Sequence, residues 1–281
     1  MAKIKKAYEC SNCGHTEAHW AGQCPSCGKW GSLVEVTVKE TKSSASVIAD
    51  DKTSKKLKAI KVDSNSRINS DFEEFDRAVG GGLVPDSVSI LTARPGAGKS
   101  TLLLQLSKSY ADKGLKVLYV SGEESESQIK SRADRIMDKL PENVWVLSTN
   151  SMDSAVSEIK KIDADIIFLD SIQTFTLAEF DNKAGSPTQT IEVANKAVEI
   201  AKDEGKKRAI IMIGHMTKSG EMAGLRTLEH LVDTVLVLDG ESDEDLRFLT
   251  STKNRFGRTG EIGLFSICLL YTSDAADDTP C

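Results

Sequence analysis

The sequence lacks a long apolar run. Its uncharged apolar stretches, such as residues 166–169 and 209–213, contain four or five residues, whereas an α-helix needs roughly 20 to cross a bilayer. The lysine-rich N-terminus has neither an apolar core nor a small-residue cleavage site, so nothing there indicates secretion. We therefore expect a cytoplasmic protein with no membrane partner.

Cysteine is absent from most of the chain, and none lies between Gly28 and Ile267. In a cytoplasmic protein, two C-x2-C pairs indicate a metal site rather than disulfides. The six cysteines are Cys10, Cys13, Cys24 and Cys27 near the N-terminus, and Cys268 and Cys281 in the last 14 residues.

The four N-terminal cysteines have the spacing of a zinc site. Each C-x2-C pair forms a turn that directs two thiolates at one point, and two such turns complete a tetrahedron around Zn²⁺. Because four protein ligands leave no open position, we expect this zinc to be structural and to supply folding energy on the order of 10 kcal/mol. The nearby His15 and His19 are interpreted as surface residues.

The overall composition is that of a soluble globular protein. With 281 residues, 40% hydrophobic and 28% charged, the chain is neither fibrous nor wholly disordered and has room for one or two domains. Its net charge of −6 is uneven, because residues 1–61 contain 11 lysines and 6 acids, a net +5 that leaves −11 for the rest. The basic N-terminal region fits nucleic-acid contact and, equally well, a solvated linker.

Four segments follow one another along the chain. The cysteine module spans residues 1–36, a polar flexible linker 37–60, the main domain 61–267, and a tail unlike the rest 268–281. In the main domain, short apolar strands alternate with helical stretches, which predicts an α/β fold with a mostly parallel sheet covered on both faces. Strands are expected at 88–92, 117–120, 166–169, 209–213 and 234–238, and helices include 102–110, 126–140 and 189–204.

A further helix is predicted before the first strand of this sheet. Ser70 and Glu73 have the spacing of a capping box. The helix that they start should end at the glycine run 80–82, because glycine readily adopts the left-handed conformation that ends helices.

A phosphate-binding loop (P-loop) follows the first of these strands. The strand, glycine-rich loop and helix occur in the order that this motif requires, although Ala93 replaces its first glycine and Arg94 follows. We expect backbone N–H groups to hold the β-phosphate, Lys99 to reach the β- and γ-phosphates, and Ser100 to ligate Mg²⁺. The nucleotide-binding residues are expected to be Pro95, Gly96, Ala97, Gly98, Lys99, Ser100 and Thr101.

ATP hydrolysis also needs a second Mg²⁺ anchor and a residue that orients the attacking water. Asp170 ends the strand 166–169 and is the expected anchor, but Ser171 follows it rather than a glutamate. The strand 117–120 is followed by Glu123 and Glu124, of which we favour Glu123 as the base; one of the two fits an acidic first turn of the next helix. A glutamate on the neighbouring strand is typical of RecA-like ATPases.

Several strings of the sequence, in this order, resemble the bacterial RadA/Sms DNA-repair family over about residues 7–267. They include the cysteine module, FDRAVGGGLVPDS, GKSTLLLQ, VLYVSGEES, QIKSRADR, DSIQT, GHMTK, LEHLVDTV and KNRFG. The resemblance implies a RecA-like P-loop ATPase core preceded by a zinc finger. It also implies ATP-dependent binding of single-stranded and branched DNA, a hexameric ring, a recombinase filament as partner, and branch migration of recombination intermediates.

The resemblance assigns three further residues. Lys253 and Arg255 are two apart on a predicted strand, so they should share a face, and they are expected to reach the γ-phosphate of a neighbouring subunit's ATP; without the resemblance, a solvated strand edge is the simpler interpretation. His215 resembles a sensor of the γ-phosphate. The loops 175–188 and 217–226, with Lys183, Lys218 and Arg226, resemble those that hold single-stranded DNA without base readout.

Two departures and two alternatives accompany this interpretation. The family continues beyond residue 267 into a domain resembling the Lon protease fold, whereas residues 268–281 resemble the product of a frameshift or an assembly junction. The alternatives are another RecA-like ATPase, similar to replicative helicases or clock proteins, and a nucleotide-gated scaffold that recruits a partner through its zinc module.

Overall fold

The computed structural model describes residues 4–39, 54, 56–59, 67–215, 225–240 and 246–266. The chain divides into two compact units, with the boundary between Ser66 and Arg67. Most of the expected linker, residues 217–224 of the second expected loop, and the tail 268–281 lie outside the described residues. Within the described ranges, no helix has the length and apolar character needed to span a bilayer.

The N-terminal unit is built on a three-stranded antiparallel sheet. Its strands are β1 (Ile4–Cys10), β2 (Thr16–Glu17) and β3 (Leu33–Lys39), in the order β2-β1-β3. Cys10 ends β1 opposite Leu33, and these two residues form a buried cluster with Cys24. Because this apolar cluster is so small, it cannot stabilise the unit without a further contribution.

The C-terminal unit contains an eight-stranded sheet in the order β11-β10-β9-β4-β8-β7-β5-β6. The six strands from β9 to β6 are parallel, as predicted, and the last two strands in the sequence extend one edge antiparallel. The strands are β4 (Val88–Ala93), β5 (Val117–Ser121), β6 (Val144–Ser148), β7 (Ile166–Asp170), β8 (Ala209–His215), β9 (Thr234–Asp239), β10 (Leu246–Asn254) and β11 (Ile262–Ser266).

Helices cover both faces of this sheet, as expected for a parallel sheet whose central strands are fully buried. One face packs against α1, α2 and α3, and the other packs against α4, α5 and α6. The helices are α1 (Glu73–Ala78), α2 (Lys99–Asp112), α3 (Glu126–Ile136), α4 (Met152–Ile162), α5 (Pro187–Ala201) and α6 (Leu225–Leu231).

The predicted capping box at the start of α1 is wrong. Phe72 is the N-cap residue and makes no side-chain cap. The backbone N–H of Ser70 donates instead to the buried carboxylate of Asp76, at 2.9 and 3.0 Å. Asp76 replaces Glu73 because it lies on the buried side of this short helix. The end of the helix is as predicted, with positive φ at all three glycines of the run 80–82.

Candidate nucleotide and metal sites

The four predicted cysteines lie together in the N-terminal unit. Their sulfur atoms are all within 4.8 Å of one another, and Cys10–Cys27 and Cys13–Cys24 are separated by 3.6 and 3.7 Å. A Zn–S bond of about 2.3 Å gives a tetrahedron whose sulfur–sulfur edges are about 3.8 Å. The donor set and its spacing therefore fit one structural Zn²⁺.

Neither nearby histidine belongs to this sulfur cluster. The Nε2 atom of His15 lies 2.9 Å from the Glu17 carboxylate, and His19 is exposed. Four thiolates complete the tetrahedron without them.

The P-loop lies at the carboxyl end of β4. Ala93 is the last residue of that strand, where it is buried and pairs with His215 of β8. Because this position has ordinary strand geometry, alanine can replace glycine here. Gly96 and Gly98 have φ of 79° and 92°, and Gly98 is the N-cap of α2. The loop therefore directs the N-terminus of a 14-residue helix into the site, an arrangement that attracts phosphate.

Lys99 begins α2 and turns back over the loop. Its ammonium group donates hydrogen bonds of 3.1 Å to the carbonyl oxygens of Ala93 and Arg94. Burial lowers the pKa of Lys99, and the charges of Asp170 and Glu123 oppose that shift. Of the other predicted loop residues, Ala97 is buried, Thr101 and Ser100 are half-buried, and Pro95 and Gly96 are exposed.

Asp170 and Ser100 are joined directly. The Ser100 hydroxyl donates to Asp170 Oδ2 at 2.9 Å, and the buried Tyr119 hydroxyl donates to the same oxygen at 2.6 Å. Burial raises the pKa of Asp170, although both hydrogen bonds act in the opposite direction. A hydroxyl and a carboxylate beside a phosphate loop are ligands that suit Mg²⁺. The composition of this pair therefore fits the expected metal.

Glu123 faces the same region from the neighbouring strand. Strands β5 and β7 pair in parallel, with Ser121 opposite Asp170. Glu123 Oε1 accepts a hydrogen bond of 2.5 Å from the Ser171 hydroxyl and lies 2.8 Å from His215 Nε2. The hydrogen bond from His215 lowers the pKa of Glu123, which favours its ionised form.

Glu124 has a different partner. Arg132 of α3 binds its carboxylate through two hydrogen bonds of 2.7 and 2.5 Å. Ligand atoms of Glu123, Asp170 and His215 instead lie within 4.8 Å of one another. The structure thus separates the two consecutive glutamates, one in an ion pair and one facing the P-loop.

Lys253 and Arg255 lie at the end of the sheet opposite to the P-loop; Lys253 is on β10, whereas Arg255 directly follows its last residue and is not on a strand as predicted. The end of β10 pairs with the beginning of β9, which itself pairs with the beginning of β4. The Lys253 ammonium donates to the carbonyl oxygens of Glu229 and Val232, the latter at 2.8 Å. The Arg255 guanidinium donates to Asp233 at 3.0 Å. Both predicted residues therefore contact the end of α6, beside the beginning of β4, whereas the P-loop follows the end of that strand.

The loop 175–188 is held more firmly than its sequence suggests. The buried Gln189 accepts a hydrogen bond from the Leu177 N–H, and its amide donates to three carbonyl oxygens of the loop. Phe175 is fully buried, so it is not available to stack on a base, and Phe180 is half-buried. Lys183 is exposed.

Sequence reasoning did not identify four polar residues with a part in these arrangements. Each is buried and bonds to groups outside its own strand or helix, so local patterns carried no signal for it. They are Tyr119, Ser171, Gln189 and Asp233.

The sheet order, the P-loop and the acidic residues on neighbouring strands define a RecA-like P-loop ATPase with a four-cysteine metal module. The comparisons agree. The family model described as an AAA domain matches residues 52–221, and one described as a rubredoxin metal binding domain matches residues 8–35. The chain belongs to the AAA domain family, and its predicted resemblance to the bacterial RadA/Sms family is confirmed by the relatives that follow.

Curated relatives and a solved structure match most of this chain. It is 40% identical over 270 residues to the DNA repair protein RadA of Campylobacter jejuni, which covers 95% of this chain and 60% of the relative. It is 42% identical over 269 residues to that of Streptococcus pyogenes, covering 95% and 58%. A KaiC-like protein from Pyrococcus horikoshii shares the fold, with a TM-score of 0.54 and 20% identity over 71% of this chain and 98% of that one. The chain thus spans about three fifths of its curated relatives.

Proposed function

We propose that this protein is a DNA-dependent ATPase of recombination repair. It assembles as a hexameric ring, hydrolyses ATP between subunits, and uses the energy to move on single-stranded DNA and promote branch migration of strand-exchange products, acting with a recombinase filament. One observation carries the proposal: the P-loop and the Lys253–Arg255 pair lie at opposite ends of the strands of one sheet.

The residues around the P-loop, at the carboxyl ends of the parallel strands, would supply one half of the hydrolysis machinery. Ser100 and Asp170 would hold Mg²⁺, which when bound neutralises charge on the phosphate oxygens. Lys99 would exchange its two carbonyl partners for phosphate oxygens. Glu123, kept ionised by His215 and positioned by Ser171, would orient the attacking water and accept its proton. His215 would thereby report the state of the nucleotide to the segment that follows β8.

The second half would come from a neighbouring subunit. Strand β4 has six residues, so its two ends are about 20 Å apart at about 3.3 Å per residue. Neither Lys253 nor Arg255 can reach across that distance to the nucleotide of its own subunit. A ring with head-to-tail contacts would bring the amino ends of the parallel strands of one subunit, where Lys253 and Arg255 lie, to the P-loop of the next subunit. Positive charge placed there would stabilise the transition state of phosphoryl transfer.

DNA binding is supported by the names of the relatives and by the place of two loops in the sequence, after β7 and after β8. Both loops follow strands whose carboxyl ends carry residues of the nucleotide site. A loop that binds DNA would therefore be connected directly to a residue near the γ-phosphate. The first loop offers Lys183 and no exposed aromatic ring among residues 175–188. Contacts to phosphates rather than to bases follow from that composition, so binding should weaken steeply with salt.

The test is ATP turnover with and without single-stranded DNA, for the zinc-loaded protein and for Lys99→Ala. The proposal predicts turnover that DNA stimulates several-fold and that Lys99→Ala abolishes. Turnover indifferent to DNA over a range of salt concentrations would contradict it and would favour the nucleotide-gated scaffold.

A further inference from the structure

Asp233 is a buried carboxylate between α6 and β9, with its side chain only 3% exposed. Its Oδ2 atom accepts a hydrogen bond of 3.0 Å from the N–H of Val88, the first residue of β4. Its Oδ1 atom accepts one of 3.0 Å from the Arg255 guanidinium and lies 3.5 Å from the Lys202 ammonium. The two oxygens therefore have separate partners, one in the backbone of the sheet and one among cationic side chains.

Arg255 is fixed to the same residue through its backbone. Its N–H donates to the carbonyl oxygen of Asp233 at 3.0 Å. The guanidinium also donates to the carbonyl oxygen of His230 at 3.2 Å, yet the side chain remains 49% exposed. The two terminal nitrogens of the guanidinium are thus held by Asp233 and by the His230 carbonyl oxygen, and about half of the side chain remains accessible to a ligand outside the subunit.

The two oxygens of Asp233 have different significance for its role. If Asp233 served only to hold the beginning of β4, its bond to the Val88 N–H would suffice, and an uncharged asparagine could make that bond as well. A buried charge, by contrast, is unfavourable unless a cation compensates it. The cation in hydrogen-bond contact is Arg255, and a guanidinium held by a carboxylate has a defined direction as well as a partner.

We propose that Asp233 is the positioning residue that presents Arg255 to the nucleotide of a neighbouring subunit. This inference rests on the proposed action of Arg255 across the subunit interface. Asp233 itself touches neither nucleotide nor metal in this arrangement. It links the beginning of the P-loop strand in its own subunit to the cation that serves the next one.

The first measurement compares Asp233→Asn with the unchanged protein. ATP affinity should stay within about twofold, because the P-loop lies at the other end of β4. Turnover stimulated by DNA should fall about 100-fold, as expected when a reacting group loses its orientation. Asp76→Asn is the matched control, since Asp76 is also buried and bonded to a backbone N–H, but its carboxylate binds Ser70 rather than Arg255; it should keep its turnover at temperatures where it remains folded.

The deciding measurement mixes inactive variants. Glu123→Gln should bind ATP but not hydrolyse it, and its Arg255 is intact. In randomly mixed rings of Asp233→Asn and Glu123→Gln, about one quarter of the interfaces pair an intact Glu123 with an intact Asp233. Turnover should therefore reappear on mixing. The parallel mixture of Arg255→Ala with Glu123→Gln sets the recovery that is attainable, and co-purification of an untagged variant with an affinity-tagged one confirms that both variants enter one ring.

The outcomes separate this inference from the function on which it rests. Recovery in both mixtures supports both. Recovery with Arg255→Ala but not with Asp233→Asn keeps the function across subunits and overturns the role of Asp233, which then acts through its own P-loop strand or through folding alone. Recovery in neither mixture overturns both. Undiminished turnover of Asp233→Asn by itself also overturns the inference.

Discussion

Glu123 and Glu124 are consecutive residues whose carboxylates have separate partners. Glu123 lies 2.8 Å from His215 and 2.5 Å from Ser171, whereas Arg132 binds Glu124 through two hydrogen bonds. The division follows from their positions after β5, because one side chain faces the neighbouring strand β7 and the next faces α3. It places Glu124 in an ion pair and leaves Glu123 as the glutamate that we propose to orient the attacking water.

This division predicts opposite results for two matched substitutions. Glu123→Gln should lower ATP turnover about 100-fold or more, the usual contribution of a general base, while leaving ATP binding intact. Glu124→Gln breaks an ion pair and should change turnover less than about threefold. Steady-state turnover together with ATP titrations checks both variants. Similar losses for the two would show that the structure does not distinguish their roles.

Removing the charge of Asp170 should increase the stability of the folded, nucleotide-free protein. Burial raises its pKa in the folded protein, so the ionised form opposes folding above that pKa, and the penalty disappears as the pH falls below the unfolded value. Asp170→Asn should therefore raise the melting temperature of the nucleotide-free protein at neutral pH by about 2–4 °C, the shift that 1 kcal/mol gives. The gain should vanish in acid, where the wild-type carboxyl is protonated.

Asp71 is a suitable control for this experiment. Its pKa is lowered by the hydrogen bond to Lys113, so its charge favours folding and Asp71→Asn should not stabilise. The Asp170→Asn protein should also lose the further stabilisation that Mg²⁺ and ATP together give to the wild type. A lower melting temperature for Asp170→Asn at neutral pH would contradict the burial argument.

Replacing His215 should shift the pH dependence of ATP turnover. Its hydrogen bond is the largest cause that lowers the pKa of Glu123. Without it, the glutamate should be protonated at a higher pH, so turnover should be lost earlier as the pH falls. His215→Ala should therefore show an acid limb displaced toward neutral pH, besides a lower maximum. Profiles that are parallel in wild type and variant would mean that His215 does not set the ionisation of Glu123.

The sequence predicts the parallel core of the fold because its strands are fully apolar. Strands such as β4 and β7 are buried on both faces, so their composition alone identifies them. Strand β6 was missed because it is only half-buried, and β11 because it is an exposed edge strand. The start of α1 was misplaced because the buried Asp76, rather than Glu73, binds the Ser70 N–H, so burial within the helix outweighed the capping pattern.

The residues of the site likewise fall into two groups, those that sequence patterns reveal and those that only the fold brings together. The P-loop and the four cysteines have fixed spacings, so their chemistry is visible in the sequence. Tyr119 and Asp233 have no such spacing, since Tyr119 bonds to Asp170 across 51 positions and Asp233 bonds to Val88 across 145. Only the order of the strands brings these pairs together. Buried polar partners of this kind need the fold before they can be recognised.

The zinc site predicts that the two units respond differently to a chelator. Removing Zn²⁺ should unfold the N-terminal unit, because its small apolar cluster cannot replace metal binding worth on the order of 10 kcal/mol. A thiol reagent should then label four cysteines that it does not reach in the zinc-loaded protein. ATP binding should persist, since the P-loop belongs to the other unit. Intact structure in the N-terminal unit after complete zinc loss would contradict this account.

Whether each nucleotide site is completed by the neighbouring subunit is tested by measuring ATP binding and turnover on one preparation of Lys253→Ala. Lys253 lies at the end of the sheet opposite to the P-loop, where its partners are carbonyl oxygens at the end of α6. We expect ATP affinity within about twofold of wild type and turnover reduced about 100-fold or more. Normal turnover would contradict this expectation, and so would a loss of ATP binding, which would place Lys253 in the pocket of its own subunit.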